Sequence, residues 1–297
     1  MTEKPMGDIL HLEKGLRLCL ALDVNIVCMS SVSSLLSDSN VIYSAAKELA
    51  AKSFLLAALD NRKYVTVSAA YPFVTGVQSD VKNCLNPGEL AYQKKDLFYA
   101  GVYANCDIGL LEELGCSPSN SFAVPAAAAK MNEWLNQQKH IKTEIRNLNP
   151  YPVYKMKEEI FFKREMKLYR ELPLVIFYAS ENENVYESCQ KTMDQLYEKY
   201  QVQSAALCGK ENRKDVRFRK REAAGKLKQE LLFMECCYKA DLIFLIIEKR
   251  ERNQVMEQIN TDLEIILSGD TICIMYEGIC AEGKAENVAD MVFEILQ

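Results

Sequence analysis

The densest group of charged side chains in this sequence is a basic segment, residues 210–221. Seven cations and two acids lie within it, the cations being Lys210, Arg213, Lys214, Arg217, Arg219, Lys220 and Arg221. A guanidinium group can form paired hydrogen bonds with phosphate oxygens. Arg217 and Arg219 are therefore the predicted phosphate-binding residues of a nucleotide site. A solvated loop and a docking surface for an acidic partner are the alternative interpretations.

Acidic side chains follow the apolar run Leu242–Ile247, and they are Glu248, Glu251, Glu257, Asp262 and Glu264. A carboxylate that is buried beside a sheet has a raised pKa, which suits a nucleophile or a general acid–base group, and it can also hold ribose hydroxyls. Glu257 is the predicted catalytic residue, because the helix expected at Gln254–Leu267 would begin just before it. A solvated helix face is the alternative.

Two turns carry hydroxyl groups that could contact a ligand. In the serine-rich turn 30–39, Ser31, Ser33 and Ser34 offer hydroxyls and backbone N–H groups to a phosphate without an opposing charge. The turn 179–184 contains Ser180 at the expected start of a helix, where N–H groups favour anions. Its two glutamates suit ribose hydroxyls or a helix cap better than phosphate. Neither turn contains a glycine-rich dinucleotide motif or a P-loop.

The composition excludes several classes of function. The sequence has two histidines, and none of its eleven cysteines lies in a C-x-x-C pair, so no metal site is predicted. No cofactor can be named. A formal net charge of −5 does not favour a nucleic-acid ligand. No apolar run reaches the roughly 20 residues of a membrane-spanning helix, and residues 1–8 do not resemble a secretory signal. We therefore expect a cytoplasmic protein with no membrane partner.

The elements that must position these residues alternate between strands and helices in the C-terminal half. The predicted strands are Leu174–Tyr178, Val202–Leu207, Asp241–Ile247 and Thr271–Tyr276. The predicted helices are Val185–Tyr200, Ala223–Lys239, Gln254–Leu267 and Ala285–Leu296. Continuous apolar runs such as Leu242–Ile247 are typical of strands buried on both faces of a parallel sheet. Such sheets bind ligands at the carboxyl ends of their strands.

The N-terminal half begins with the same order of strand, turn and helix. The predicted helices are His11–Leu22, Val41–Leu59, Leu90–Tyr103 and Ala126–Gln138, and the predicted strands are Val24–Met29 and Tyr64–Ala70. Pro125 suits the first position of the helix that follows it. Asn86, Pro87 and Gly88 indicate a turn. Trp134, the only tryptophan, is interpreted as an aromatic anchor between layers.

The C-terminal half resembles two known families in its architecture. The run Ala240–Ile247, followed by a loop, a glutamate-bearing helix and another strand, is similar to Toll/interleukin-1 receptor (TIR) domains and to nucleoside deoxyribosyltransferases. The resemblance covers at most Leu172–Gln297, and the residues that flank the glutamate in those families are absent. In both families a glutamate of this region attacks or stabilises the anomeric carbon of ribose. The resemblance therefore implies this role for Glu257.

Together these patterns predict an α/β protein of two Rossmann-like (flavodoxin/TIR-like) halves with mainly parallel sheets. The predicted domains are 1–147 and 172–297, and residues 148–171 are the linker and bridging helix. The predicted function is to bind a nucleotide or nucleoside derivative at the carboxyl ends of the strands, with cleavage of its glycosidic bond as an open further step. The alternative is a non-catalytic interaction or regulatory protein that uses residues 210–221. A homo-oligomer is also open.

Overall fold

A computed structural model shows an α/β chain with two mostly parallel sheets. The structure describes residues 8–62, 64–93, 101–106, 109–113, 115–152, 172–179, 185–209, 215–221, 227–269 and 271–297. Internal contacts divide the chain into two compact units, Met1–Ser34 with Asp38–Lys167 and Leu35–Ser37 with Leu168–Gln297. The linker predicted at 148–171 stays a prediction, because most of it falls outside the described ranges.

The first unit is built on a five-stranded sheet in the order β1-β2-β3-β5-β4, in which β4 alone is antiparallel to its neighbour. Its strands are β1 (Ile26–Met29), β2 (Phe54–Ala58), β3 (Val74–Ser79), β4 (Leu90–Gln93) and β5 (Gly101–Ala104). Its helices are α1 (Ile9–Ala21), α2 (Ser39–Ala50), α3 (Leu110–Glu113), α4 (Asn120–Asn136) and α5 (Ile141–Asn147). The apolar side of α4 covers the sheet and forms the core with it.

The second unit is built on a seven-stranded sheet in the order β12-β11-β10-β6-β9-β7-β8. Strand β11 is antiparallel to both of its neighbours, β10 and β12, and the other pairs are parallel. Its strands are β6 (Leu174–Ala179), β7 (Ser204–Cys208), β8 (Phe218–Lys220), β9 (Leu242–Glu248), β10 (Leu263–Ser268), β11 (Thr271–Tyr276) and β12 (Ile279–Lys284). Its helices are α6 (Val185–Tyr200), α7 (Leu227–Cys237), α8 (Arg252–Met256) and α9 (Val288–Leu296). Helices α6 and α9 cover one face of the sheet.

The helix predicted at Val41–Leu59 is too long. Helix α2 ends at Ala50, and the next apolar run forms β2 in the interior of the first sheet, between β1 and β3. The strand begins where the Phe54 amide donates to the carbonyl of Asn25. Alanine and leucine favour a helix in isolation, but burial between two parallel strands overrides that preference.

The helix predicted at Leu90–Tyr103 is wrong, because β4 and β5 lie there instead. The strand predicted at Tyr64–Ala70 is also wrong: these residues form buried turns, and the next strand, β3, begins at Val74. Gly101 allows β5 to approach β3, since a Cβ atom at Gly101 would lie 2.4 Å from the carbonyl oxygen of Gly76. Gly76 therefore serves strand pairing.

The helix predicted at Gln254–Leu267 is wrong in its second part. Helix α8 ends at Met256, and Leu263–Ser268 forms β10 between β6 and β11. Alternate residues of β10 are buried, which is the period of a strand and not of a helix. Strand β12 was not predicted. By contrast, the helix predicted at Val185–Tyr200 is confirmed with the same bounds.

Candidate functional site

The first unit contains a groove of about 450 Å³ beside strand β4. Its lining residues are Asn86, Pro87, Gly88, Glu89, Leu90, Lys130, Trp134, Asn147, Leu148 and Asn149. We call it the Trp134 groove. Leu90 pairs with Ala104, the last residue of β5, so the groove begins at the carboxyl edge of the parallel strands. A volume between roughly 300 and 1,000 Å³ is usual for sites of small organic ligands.

One wall of the Trp134 groove is a tight turn. Pro87 and Gly88 occupy its two central positions, with Gly88 at φ +75°, and the Glu89 amide donates to the Asn86 carbonyl at 2.9 Å. This is the pattern of a type II turn. The side chain of Glu89 accepts from the amide and the side-chain Nδ2 of Asn86, at 2.9 and 3.1 Å. The turn predicted from the sequence is confirmed, and its carboxylate is held in place.

The opposite wall is the chain that follows α5. The Tyr92 amide donates to the Asn149 carbonyl at 2.8 Å, and the Tyr151 amide donates back to the Tyr92 carbonyl at 3.0 Å. These bonds hold residues 149–151 against the outer edge of β4, with Pro150 in an isolated bridge. The backbone at Asn149 is thereby held along the groove.

Helix α4 supplies two further lining residues, Trp134 and Lys130, one turn apart. Trp134 is 6% exposed, and among the described residues its indole N–H has no acceptor. Lys130 is a surface residue whose ammonium group donates to Glu133 at 2.8 Å. The groove therefore combines a buried aromatic ring with an unused donor, three asparagine amides, one carboxylate and one cation.

Both walls rest on one buried cluster. Asp80 is 2% exposed; it accepts the hydroxyl of Tyr151 and, at 2.6 Å, the amide of Leu85. Tyr151 stacks on Tyr103 with the ring centres 3.8 Å apart. The side chain of Asn105 donates to the Leu85 carbonyl at 2.6 Å. Burial and the neighbouring Asp80 carboxylate raise the pKa of Tyr151, so its hydroxyl stays a donor.

The predicted serine site lies in the loop after β1, where Ser31 is exposed and Ser33 and Ser34 are half-buried. The Ser33 carbonyl accepts the Val67 amide at 2.9 Å, and its side chain bonds to Asp38. Burial raises the pKa of Asp38, whereas the Ser33 bond opposes that shift. The turn was expected to have no opposing charge, and the structure places a carboxylate in it. A role in phosphate binding stays a prediction.

The carboxyl edge of the first sheet is closed by a residue that the sequence analysis missed, Asn120. Its side chain donates to the Leu59 carbonyl and accepts the Ser79 amide, both at 2.8 Å, and its own amide donates to Asn61 at 3.1 Å. These bonds occupy backbone groups at the ends of β2 and β3. The helix was predicted to start at Pro125, which instead lies inside it.

The two arginines predicted to bind phosphate are both buried. The guanidinium group of Arg217 donates to Asp215 at 2.6 Å and to Asp194 at 2.7 Å. Burial works to lower the pKa of Arg217, but the two carboxylates outweigh it and the pKa is raised. Arg219 lies over the ring of Phe233, 4.6 Å from its centre. The two side chains contact different helices and are not brought together at one site.

A second charged cluster surrounds the short helix α8. Arg252 binds Glu264 through two nitrogens at 2.8 and 2.9 Å, and the Tyr178 hydroxyl donates to the same carboxylate. Burial works to raise the pKa of Glu264, but these donors outweigh it and the pKa is lowered. The neighbouring Glu251 accepts Arg221, which follows β8. The carboxylates of this cluster are therefore ionised and already paired.

The other predicted residues lie apart from these clusters. Glu257 is exposed and lies at the C-terminal cap of α8. Its predicted catalytic role assumed a position near the start of a helix. Ser180 lies outside the described residues.

Among the residues that the structure describes, no group of three or more His, Cys, Asp or Glu side chains is arranged to hold a metal ion. No described helix is both long and apolar enough to cross a membrane.

No protein-family model matches the chain, and no curated protein matches its sequence. Function is therefore inferred from the geometry of the chain's own residues.

Proposed function

We propose that the chain binds a nucleotide or nucleoside derivative in the Trp134 groove. One observation carries this proposal: a nearly buried tryptophan with an unused N–H lines a groove of about 450 Å³ together with asparagine amides. Binding sites for small molecules typically combine apolar or aromatic walls with a few fixed polar groups. The indole N–H has no acceptor among the described residues and is not one of their buried unpaired groups, so it reaches solvent and can donate to an acceptor on a ligand.

The lining residues match the parts of such a ligand. Asparagine amides both donate and accept, as the edge of a nucleobase does. The carboxylate of Glu89, already held by Asn86, can accept ribose hydroxyls. Lys130 is partly exposed and can offer its ammonium group to a phosphate.

The proposal interprets the two sheets as Rossmann-like (flavodoxin/TIR-like) halves. Cleavage of the glycosidic bond by Glu257 stays a prediction, since Glu257 does not line the groove.

Thermal stability against a panel of ligands tests the proposal. The panel contains NAD, ATP, cyclic nucleotides and free nucleosides. A ligand at a hundred times its Kd stabilises the folded state by about 2.7 kcal/mol, which raises Tm by a few degrees. A panel that leaves Tm unchanged throughout contradicts the proposal.

The fluorescence of Trp134 locates the ligand, because the chain has no other tryptophan. A ligand that raises Tm should also shift or quench this emission at the same concentrations. The variant Trp134→Phe keeps an aromatic ring and loses the N–H, so its ligand-induced rise in Tm should shrink. Tyr92→Phe, outside the lining residues, is the matched control and should keep the full rise.

The alternative, an interaction protein that uses residues 210–221, is not favoured by the described part of that segment. Arg217 and Arg219 are buried, and Arg221 is paired with Glu251. Lys220 is exposed there. Residues 210–214 lie outside the described ranges.

A further inference from the structure

Strand β12 is an edge of the seven-stranded sheet. Among the described residues it pairs with β11 alone, and Cys280, Glu282 and Lys284 are exposed along it. The inner face at Gly283 is covered by α9, since a Cβ atom there would meet the Met291 sulfur at 2.6 Å. An exposed edge offers unpaired N–H and C=O groups to another strand.

The hairpin geometry shows which backbone groups point outward. Glu277 and Gly278 form a two-residue turn with positive φ at both positions, which is the type I′ hairpin. Tyr276 and Ile279 therefore exchange hydrogen bonds, and every second pair along the ladder does the same. The outward N–H groups consequently belong to Cys280, Glu282 and Lys284, and the outward C=O groups to Cys280 and Glu282, because Lys284 is the N-cap of the turn 285–287 and its C=O accepts there.

These outward residues are self-complementary in charge. We propose that a second copy of this chain pairs with β12 in an antiparallel, twofold-symmetric arrangement that joins the two sheets edge to edge. In the proposed register Glu282 opposes Lys284 of the partner subunit, and Lys284 opposes the partner's Glu282. Gly283 lies at the twofold axis, where it brings no side chain into the contact.

Charge selects this register over its neighbours. A shift that places Glu282 opposite the partner's Glu282 sets like charges against each other, which is destabilising. Lys284 is free to change partner, because its contact with Glu286 is 3.8 Å long and both side chains are exposed. The pairing covers few residues, so we expect a reversible dimer whose population rises with concentration.

Sedimentation velocity across a concentration series tests the proposal through charge reversal. Glu282→Lys and Lys284→Glu each turn two attractive contacts into two repulsive ones, so each should raise the Kd of the dimer roughly ten-fold or more. The double variant restores opposite charges and should recover the dimer. Glu294→Lys, an exposed position on α9 with the same change in net charge, is the control and should associate like the original chain.

A proline tests the backbone part of the contact. Glu282→Pro removes an N–H that points outward, so it should abolish the dimer and leave the pairing of β12 with β11 intact. Circular dichroism and Tm verify that the variant is folded. A chain that stays monomeric at every concentration overturns the proposal; charged residues on the edge then act to block pairing. A double variant no better than the single ones overturns the register.

Discussion

The Trp134 groove of the first unit and the charged residues of the second unit differ in where their paired groups lie: Lys130–Glu133 and Glu89–Asn86 are surface pairs, whereas Arg217 and Asp215 are buried. In the second unit Arg217 and Arg252 both meet carboxylates within 3 Å. In the groove the Trp134 indole lacks an acceptor among the described residues. A polar group that is already paired stabilises the fold, and one left unpaired in a cavity is available to a ligand. Charge density alone therefore does not locate a site in this chain.

The largest expected effect is the loss of Arg217. Arg217→Ala leaves Asp215, which is 1% exposed, as an uncompensated buried carboxylate. The free energy of unfolding should fall by about 3–5 kcal/mol, the usual result of breaking one side of a buried ion pair. Denaturant unfolding measures it, with the exposed neighbour Lys220→Ala as control. A loss under about 1 kcal/mol would be that of a surface pair and would contradict a structural role.

The next effect concerns the support beneath the groove. Tyr151→Phe removes a hydrogen bond to the buried Asp80 carboxylate, and a bond to a charged group contributes about 1.5–3 kcal/mol. The unfolding free energy should fall by that amount. Tyr92→Phe is a matched control, because the Tyr92 hydroxyl has no partner among the described residues. Equal stability of the two variants would show that Asp80 does not depend on Tyr151.

A smaller effect depends on pH. The pKa of Glu264 is lowered below its ordinary 4.5 in the folded state, so its contribution to stability is present above that value and is lost as pH falls through the folded pKa. The stability difference between the original chain and Glu264→Gln should be about 1 kcal/mol or less at pH 7, as Arg252 is partly exposed. It should shrink steadily below pH 4.5. A difference that grows on acidification would contradict the lowered pKa.

The sequence could predict the features that depend on residues close together along the chain. Strand β9 and helix α6 follow from local patterns, a continuous apolar run and a period of 3.6 residues. The Trp134 groove has no such signal. Its lining residues come from three separate stretches of neutral and charged side chains, and its support joins Asp80 to Tyr151 across 71 positions.

Phosphate binding by Arg217 was predicted from the charge of residues 210–221, but one of the partners of Arg217 comes from a distant part of the sequence. Asp215 lies within it, but Asp194 is on α6, and only the fold brings both carboxylates to Arg217. The second part of the predicted helix Gln254–Leu267 was wrong because its burial alternates with the period of a strand, which the consecutive apolar residues Ile265, Ile266 and Leu267 do not reveal in the sequence.

The smallest effect on stability should accompany a clear effect on binding. Lys130→Met keeps the aliphatic part of the side chain and removes a surface cation, so the unfolding free energy should change by less than about 0.5 kcal/mol. In the proposed function the variant should lose affinity for phosphorylated ligands and keep it for the matching nucleoside. Lys139→Met, whose ammonium group pairs with Glu144 outside the groove, should change neither. Titration of Trp134 fluorescence measures both affinities. Equal losses for nucleotide and nucleoside would place the phosphate away from Lys130 while leaving the groove as the site, because the indole ring reports contact with any part of the ligand.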